Sequence, residues 1–266
     1  MKNETSKKPR AIRLTIGGAL AFVFMIVMNF LANYLPLNGV TTAEISDRYY
    51  NIFTPAGYTF IIWGVIYIAL TLWIIAVIWG VSRNKERPTD IISRVGYFFI
   101  ASSVLNGIWI FTWHYDLILV SLIVMLALLL SLVLLYTRLR MSQEEGGIYL
   151  LPFSIYLGWI TVATIANLAT YSVAINWNRF GLPAELWLTI LLLVTLGVSI
   201  FMVLGLKDLT YGLVILWALS GIATARWSEF GTFDYKTAIT IGAGVLLLIV
   251  FGKSLASTGR FKEKLT

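Results

Sequence analysis

Residues 51–81 read NIFTPAGYTFIIWGVIYIALTLWIIAVIWGV, a run without one charged side chain. Inside a bilayer every backbone N–H and C=O must be paired within the segment, so an apolar run of this length has one stable form, the α-helix. Its start is polar and turn-like, at Thr54-Pro55-Ala56-Gly57. Proline suits a first helical turn, where its missing N–H costs nothing, and Thr54 is placed to cap that turn. Tyr58, Phe60, Trp63 and Tyr67 crowd the entrance, and Trp79 marks the far interface. These rings are expected to form one wall of a binding cavity.

The rest of the chain repeats the pattern. Of its 266 residues 59% are hydrophobic and 12% charged, and the mean hydropathy is +0.84. Soluble domains do not have this composition. Eight stretches approach the ~20 residues a spanning helix needs, at about 12–35, 56–81, 92–113, 117–138, 147–173, 184–205, 209–226 and 237–256. The alternating ten-residue pattern of a membrane barrel is absent, so the chain reads as an all-α integral membrane protein. There is no cysteine, hence neither disulfide nor thiolate chemistry. The single histidine, His114, rules out a histidine cluster for metal.

The net charge of +7 is distributed by topology. With the N-terminus inside, sixteen of the twenty basic residues fall on the inner side: five before the first span, four within Arg83–Arg94, then Arg138, Arg140, Lys207 and four near the C-terminus. Arg48, Arg179, Arg226 and Lys236 remain outside. This places both termini in the cytoplasm. The basic balance reads as contact with anionic headgroups of the lipid bilayer, not with nucleic acid. The N-terminal run imitates a signal peptide, but it is too long and carries Asn29 and Asn33, so it stays as the first span.

Within the spans, Asn29 and Asn33 share one face and are expected to bond between helices. The outer loop 36–55, with Glu44, Asp47, Arg48, Tyr49 and Tyr50, is long and aromatic enough to act as a lid. Asn106, Trp109 and Trp113 share a face of the third span. His114, Tyr115 and Asp116 then turn tightly into a fourth span that is almost purely aliphatic and expected to face lipid. His114 reads as a solvated interfacial residue rather than a haem ligand. The fifth span opens with Gly146-Gly147 and Pro152 and aligns Tyr156, Trp159, Ala163 and Asn167 in one stripe. The last three spans are plainer, apart from Trp217, Ser220, Arg226 and Trp227 in the seventh. Arg226 is expected to snorkel and to pair with Glu229 or Asp116. Rings at helical spacing also serve as core or interfacial belt, and membrane amides as glue between helices.

Three stretches taken together are more specific: FTPAGYTFIIWGVIY at 53–67, LNGIWIFTWH at 105–114 and YLGWITVATIAN at 156–167. In their spacing and order they resemble the TspO/MBR family, the tryptophan-rich sensory proteins related to the translocator protein. Tyr58 stands where that family usually has Trp, and Ala56 where it has a second Pro. The resemblance covers about residues 12–175 and implies a TspO-like five-helix core over 1–175, with 176–266 adding three spans and a basic tail. It further implies a multi-pass protein of the cell membrane, in a bacterium, that binds a hydrophobic or tetrapyrrole-like ligand. Porphyrin or haem would then be ligand rather than resident cofactor, and a homodimer is compatible with it. The pocket would lie between spans two, three and five under the first outer loop, with Tyr58, Trp63, Tyr67, Asn106, Trp109, Trp113, Tyr156, Trp159 and Asn167 as its ligand-binding residues. A small transporter or permease subunit is the competing reading. No span carries Asp, Glu or Lys at mid-depth, which argues against ion-coupled exchange. Without a nucleophile–base or carboxylate pair inside the bundle, an enzyme is not expected.

Overall fold

The computed structural model describes residues 4–35, 37–141, 147–230 and 235–263, with side chains described for 7–35, 37–141, 149–227 and 236–255. Lys2, Gly146, Lys264 and the side chains of Glu229, Arg260 and Lys262 lie outside these residues. All eight expected spans are helices long and apolar enough to cross a membrane, with ends within a few residues of the sequence reading. They are α1 (Glu4–Tyr34), α3 (Ile62–Ser82), α4 (Glu86–His114), α5 (Ile118–Arg140), α6 (Gly147–Ala174), α7 (Ala184–Ile200), α8 (Leu209–Phe230) and α9 (Tyr235–Glu263). A short helix, α2 (Thr42–Arg48), lies in the first outer loop. α4 begins at Glu86, ahead of its apolar run, because Pro88 falls in the first turn, where no N–H is required.

The chain forms two compact units. Met1–Arg48 and Ile62–Ile160 make the first, Tyr49–Ile61 and Thr161–Thr266 the second, so α6 contributes to both. In the first unit α1 and α4 run parallel. Phe22 stacks near Phe99 at 6.1 Å, and Phe24 crosses α4 at Gly107. Any Cβ at Gly107 would stand 2.4 Å from the Phe24 ring, so a side chain there would displace that ring from α4. α5 buries Ser121, Met125, Leu128, Leu132 and Leu135 and exposes Ile123, Leu126 and Leu130. It is therefore two-sided: one face is exposed, as expected of a helix that faces lipid, and the other is buried in the unit.

The polar tie in this unit is Asn106, which is fully buried. Its Oδ1 accepts a hydrogen bond from Asn29 Nδ2 at 2.7 Å, and its Nδ2 donates to the Tyr156 hydroxyl at 2.9 Å. One carboxamide thus joins α1, α4 and α6. Asn33 does not bridge: its Nδ2 donates back to the Asn29 carbonyl at 2.9 Å.

In the second unit the segment Tyr49–Ile61 docks on α8. The Ala56 N–H donates to the Gly221 carbonyl, and Trp217 Nε1 donates to the Thr59 carbonyl, both at 3.0 Å. A Cβ at Gly221 would meet Thr59 Oγ1 at 2.1 Å, so glycine is required there. These contacts overturn the local reading of the corner. Residues 54–56 are not helical, a 3₁₀ turn occupies Gly57–Ile61, and Thr54 Oγ1 caps nothing. Elsewhere in this unit Asp208 caps α8 by accepting from the Tyr211 N–H at 3.0 Å. Ser254 of α9 donates to the Val203 carbonyl at 3.2 Å.

Replacing Asn106 by Leu strands the Asn29 amide and the Tyr156 hydroxyl away from water. The expected loss is about 1–2 kcal/mol in unfolding measurements in detergent. Asn29→Leu combined with Asn106→Leu should cost less than the sum of the two, because they share a bond. Strictly additive losses would contradict the tie.

Candidate functional site

Seven of the nine expected site residues lie in the first unit, and six of them are rings of one cluster: Trp63, four rings packed on it, and Trp113 beyond Trp109. Trp63 and Tyr67, one turn apart on α3, stack at 5.7 Å. Trp109 of α4 stacks on Trp63 at 6.1 Å and on Trp113, one turn further on, at 5.8 Å. From α6, Tyr156 and Trp159 both approach Trp63 edge-on at 6.2 Å. These separations and angles are those that aromatic quadrupoles favour. The spacings of three, four and seven residues put each helix's rings on one face, and the Asn106 bonds turn α4 and α6 so that those faces meet. Trp109, Trp113, Tyr156 and Trp159 are buried, whereas Trp63 and Tyr67 keep part of their surface open. The Trp109 indole N–H is buried with no hydrogen-bond acceptor among the described residues. Asn106 stands behind the rings with its amide engaged by Asn29 and Tyr156, so it supports the cluster from the protein side.

The cluster continues into the outer loop. Trp113 Nε1 donates to the Thr42 carbonyl at the start of α2, at 3.2 Å. Asn38 Nδ2 donates to the His114 carbonyl at 3.0 Å, and Arg48 forms an ion pair with Asp116. The first outer loop is thus latched to the outer end of α4 and the turn after it at three points, two of them from α2. His114 lies beneath it, fully buried, which corrects the expectation of a solvated residue. Its Nδ1 bonds the Ile110 carbonyl at 2.8 Å, and a carbonyl only accepts, so this nitrogen carries the proton. Nε2 lies 3.5 Å from the Thr42 hydroxyl, and the Ala32 carbonyl also bonds the ring. A ring held from both sides in this way is a structural post for α2.

The other two expected residues belong to the second unit. Tyr58 is 44% exposed and packs edge-on against Trp217 at 5.5 Å, its hydroxyl 3.3 Å from Thr224 Oγ1. Asn167 is buried on the second-unit half of α6. Arg226 is buried as well and donates to the Tyr50 hydroxyl at 2.6 Å. Tyr50 is therefore a partner the sequence did not suggest, and Asp116 is taken by Arg48. Two local signals in the sequence mark these contacts. Thr41-x-x-Glu44 is a capping box, and Gly221 is a glycine in the interior of a helix, where it marks a close approach.

A family model described as TSPO-like protein matches residues 15–255. The chain belongs to the TSPO-like family. The match takes in the last three spans of this TSPO-like chain, beyond the stretch to about residue 175 that carries the aromatic motifs. No curated protein and no solved structure matches it. Membership and the eight apolar helices make this a multi-pass membrane protein.

The capping box offers a direct test of how α2 is held. The Glu44 carboxylate accepts from the Thr41 backbone N–H at 2.6 Å and from the Thr41 hydroxyl at 2.9 Å. These two bonds, the backbone one foremost and with a smaller contribution from Arg48, hold its pKa below the ordinary 4.5. A lowered folded-state pKa means the cap contributes fully above 4.5 and is lost as pH falls through the lowered value. Amide-exchange protection of residues 42–48 should therefore drop between about pH 6 and about pH 3. Glu44→Gln should remove that dependence. Unchanged protection in the parent chain over this range would contradict the cap.

Proposed function

We propose that this TSPO-like protein is a sensor or translocator that binds a hydrophobic, tetrapyrrole-like ligand at the aromatic cluster on Trp63, under the lid formed by α2. The observation that carries the proposal is the convergence of Tyr67, Trp109, Tyr156 and Trp159 on Trp63 within 6.2 Å. A flat conjugated ligand gains most from such a surface, because stacked and edge-on contacts both add to simple burial. The half-open faces of Trp63 and Tyr67 give it a place to enter. The buried Trp109 N–H supplies a second reason. An unpartnered donor in an apolar site is costly, and a ligand nitrogen or carboxylate oxygen would satisfy it.

The chemistry on offer is recognition rather than catalysis: rings, one free donor and a lid. Among the described residues, no group of three or more His, Asp or Glu is placed to hold a metal ion. Any haem bound here would be held by stacking and polar contacts rather than by His114, whose ring is engaged by Ile110, Ala32 and Thr42.

Titration of the purified protein with a free-base porphyrin, followed through the porphyrin's own absorbance, tests this. Trp109→Ala and Trp159→Ala should each weaken binding about three- to tenfold. Trp227→Ala, at an exposed ring of the second unit, should leave it unchanged. Equal affinity in all four proteins would remove the cluster as the binding site.

A further inference from the structure

A groove of about 340 Å³ runs between α3 and the first-unit half of α6, distinct in its lining from the aromatic cluster. Val65, Leu72 and Ala76 form one wall, and Tyr149, Pro152 and Ile155 the other. Trp73 belongs to the same lining, is 2% exposed, and is clamped by Phe99 at 4.7 Å and Phe153 at 5.0 Å. The groove exists because alanine and proline stand where neighbouring turns carry Ile and Leu. Its α3 rim is lipid-facing, with Leu72 64% and Ile68 65% exposed in a helix that spans the membrane. From Val65 to Ala76 the helix rises about 16 Å, close to half of the ~30 Å hydrocarbon thickness.

Below that apolar length the same side of the bundle becomes cationic. α3 continues through Trp79 to Arg83, whose guanidinium lies 5.7 Å from the Trp79 ring centroid. Arg87, at the start of α4, lies 5.1 Å over the ring of Tyr149, itself a groove residue. Both arginines are exposed. The order along the membrane normal is therefore an apolar trough that passes the middle of the span at Ala69 and runs down past Trp73, then an aromatic pair, then two cations. A phospholipid has the same order: chain, ester level, phosphate.

We propose that this groove is a binding site for one anionic phospholipid of the cytoplasmic leaflet. One acyl chain lies along Trp73 between α3 and α6, and the phosphate meets Arg83 and Arg87. Guanidinium groups suit this role, since each can offer a phosphate two parallel N–H donors. A zwitterionic lipid would fill the trough equally well but would bring its own cation to the arginines. The site is independent of the Trp63 cluster and of the ligand proposed for it.

Native mass spectrometry of the full chain, released from mixed phosphatidylglycerol and phosphatidylcholine, tests the assignment. One phosphatidylglycerol should be retained in preference to phosphatidylcholine. Arg83→Gln with Arg87→Gln should reduce that preference by roughly fivefold per arginine. Ala76→Phe should displace the bound lipid with both arginines intact, and Ala69→Leu makes the same test with a smaller side chain should the larger one unfold. Arg138→Gln with Arg140→Gln, at the same membrane face on α5, should leave retention unchanged. Three results would each overturn the proposal: equal retention of the two lipids, retention that survives groove filling, or loss of preference in the α5 control. Preferential retention of an added sterol would overturn it as well.

Discussion

The Asn106 carboxamide lies within the membrane-spanning part of α4, fully buried, where both its ends must find partners inside the protein. It finds Asn29 on α1 and Tyr156 on α6, and so fixes how three helices are rotated about their own axes. The consequence is geometric. Once Asn106 points at α6, Trp109 and Trp113 follow on the same face of α4, and Tyr156 carries Trp159 with it on α6. Apolar packing between helices in lipid is weakly directional, because lipid tails are as apolar as leucine. A single pair of short hydrogen bonds supplies the direction that hydrophobicity alone cannot.

From that tie the first unit is continuous to its outer surface. Trp63 touches Trp109, Trp109 touches Trp113, and Trp113 donates to the first residue of α2. A change in how the rings pack would therefore reach the lid through contacts of van der Waals and hydrogen-bond length. The second unit does separate work. Its α8 receives the segment Tyr49–Ile61 through Gly221, Trp217 and Thr224 and so shapes the stretch of chain between α2 and α3. This gives the later helices a structural role in presenting the helix entry, consistent with a family match that extends through them.

The eight spans were legible in the sequence because burial in lipid leaves an apolar run one option, and run length then fixes the element. The ring faces were legible because period 3.6 is a local property of a helix, so Trp109 with Trp113, and Tyr156 with Trp159, could be aligned in advance. What escaped depended on partners distant in the chain. Thr54-Pro55 carries the local signature of a helix start, yet the Ala56 N–H is taken by the Gly221 carbonyl, and the chain turns helical only at Gly57, as a 3₁₀ turn that becomes α-helix at Ile62. His114 sits at a turn, where solvent would be the default, and only the presence of α2 buries it. Arg226 found Tyr50, a residue 176 positions away, and nothing in the spacing of either signalled the other.

The central claim, that side chains from α3, α4 and α6 meet at Trp63, can be tested without any ligand. Stacked indoles couple their excited states and give a split signal in far-ultraviolet circular dichroism. Trp63 and Trp109 at 6.1 Å should contribute such a couplet. Trp63→Phe should reduce it while helix content stays constant, and Trp79→Phe, at a ring outside the cluster, should not. A couplet of unchanged amplitude in Trp63→Phe would mean that the rings do not converge there.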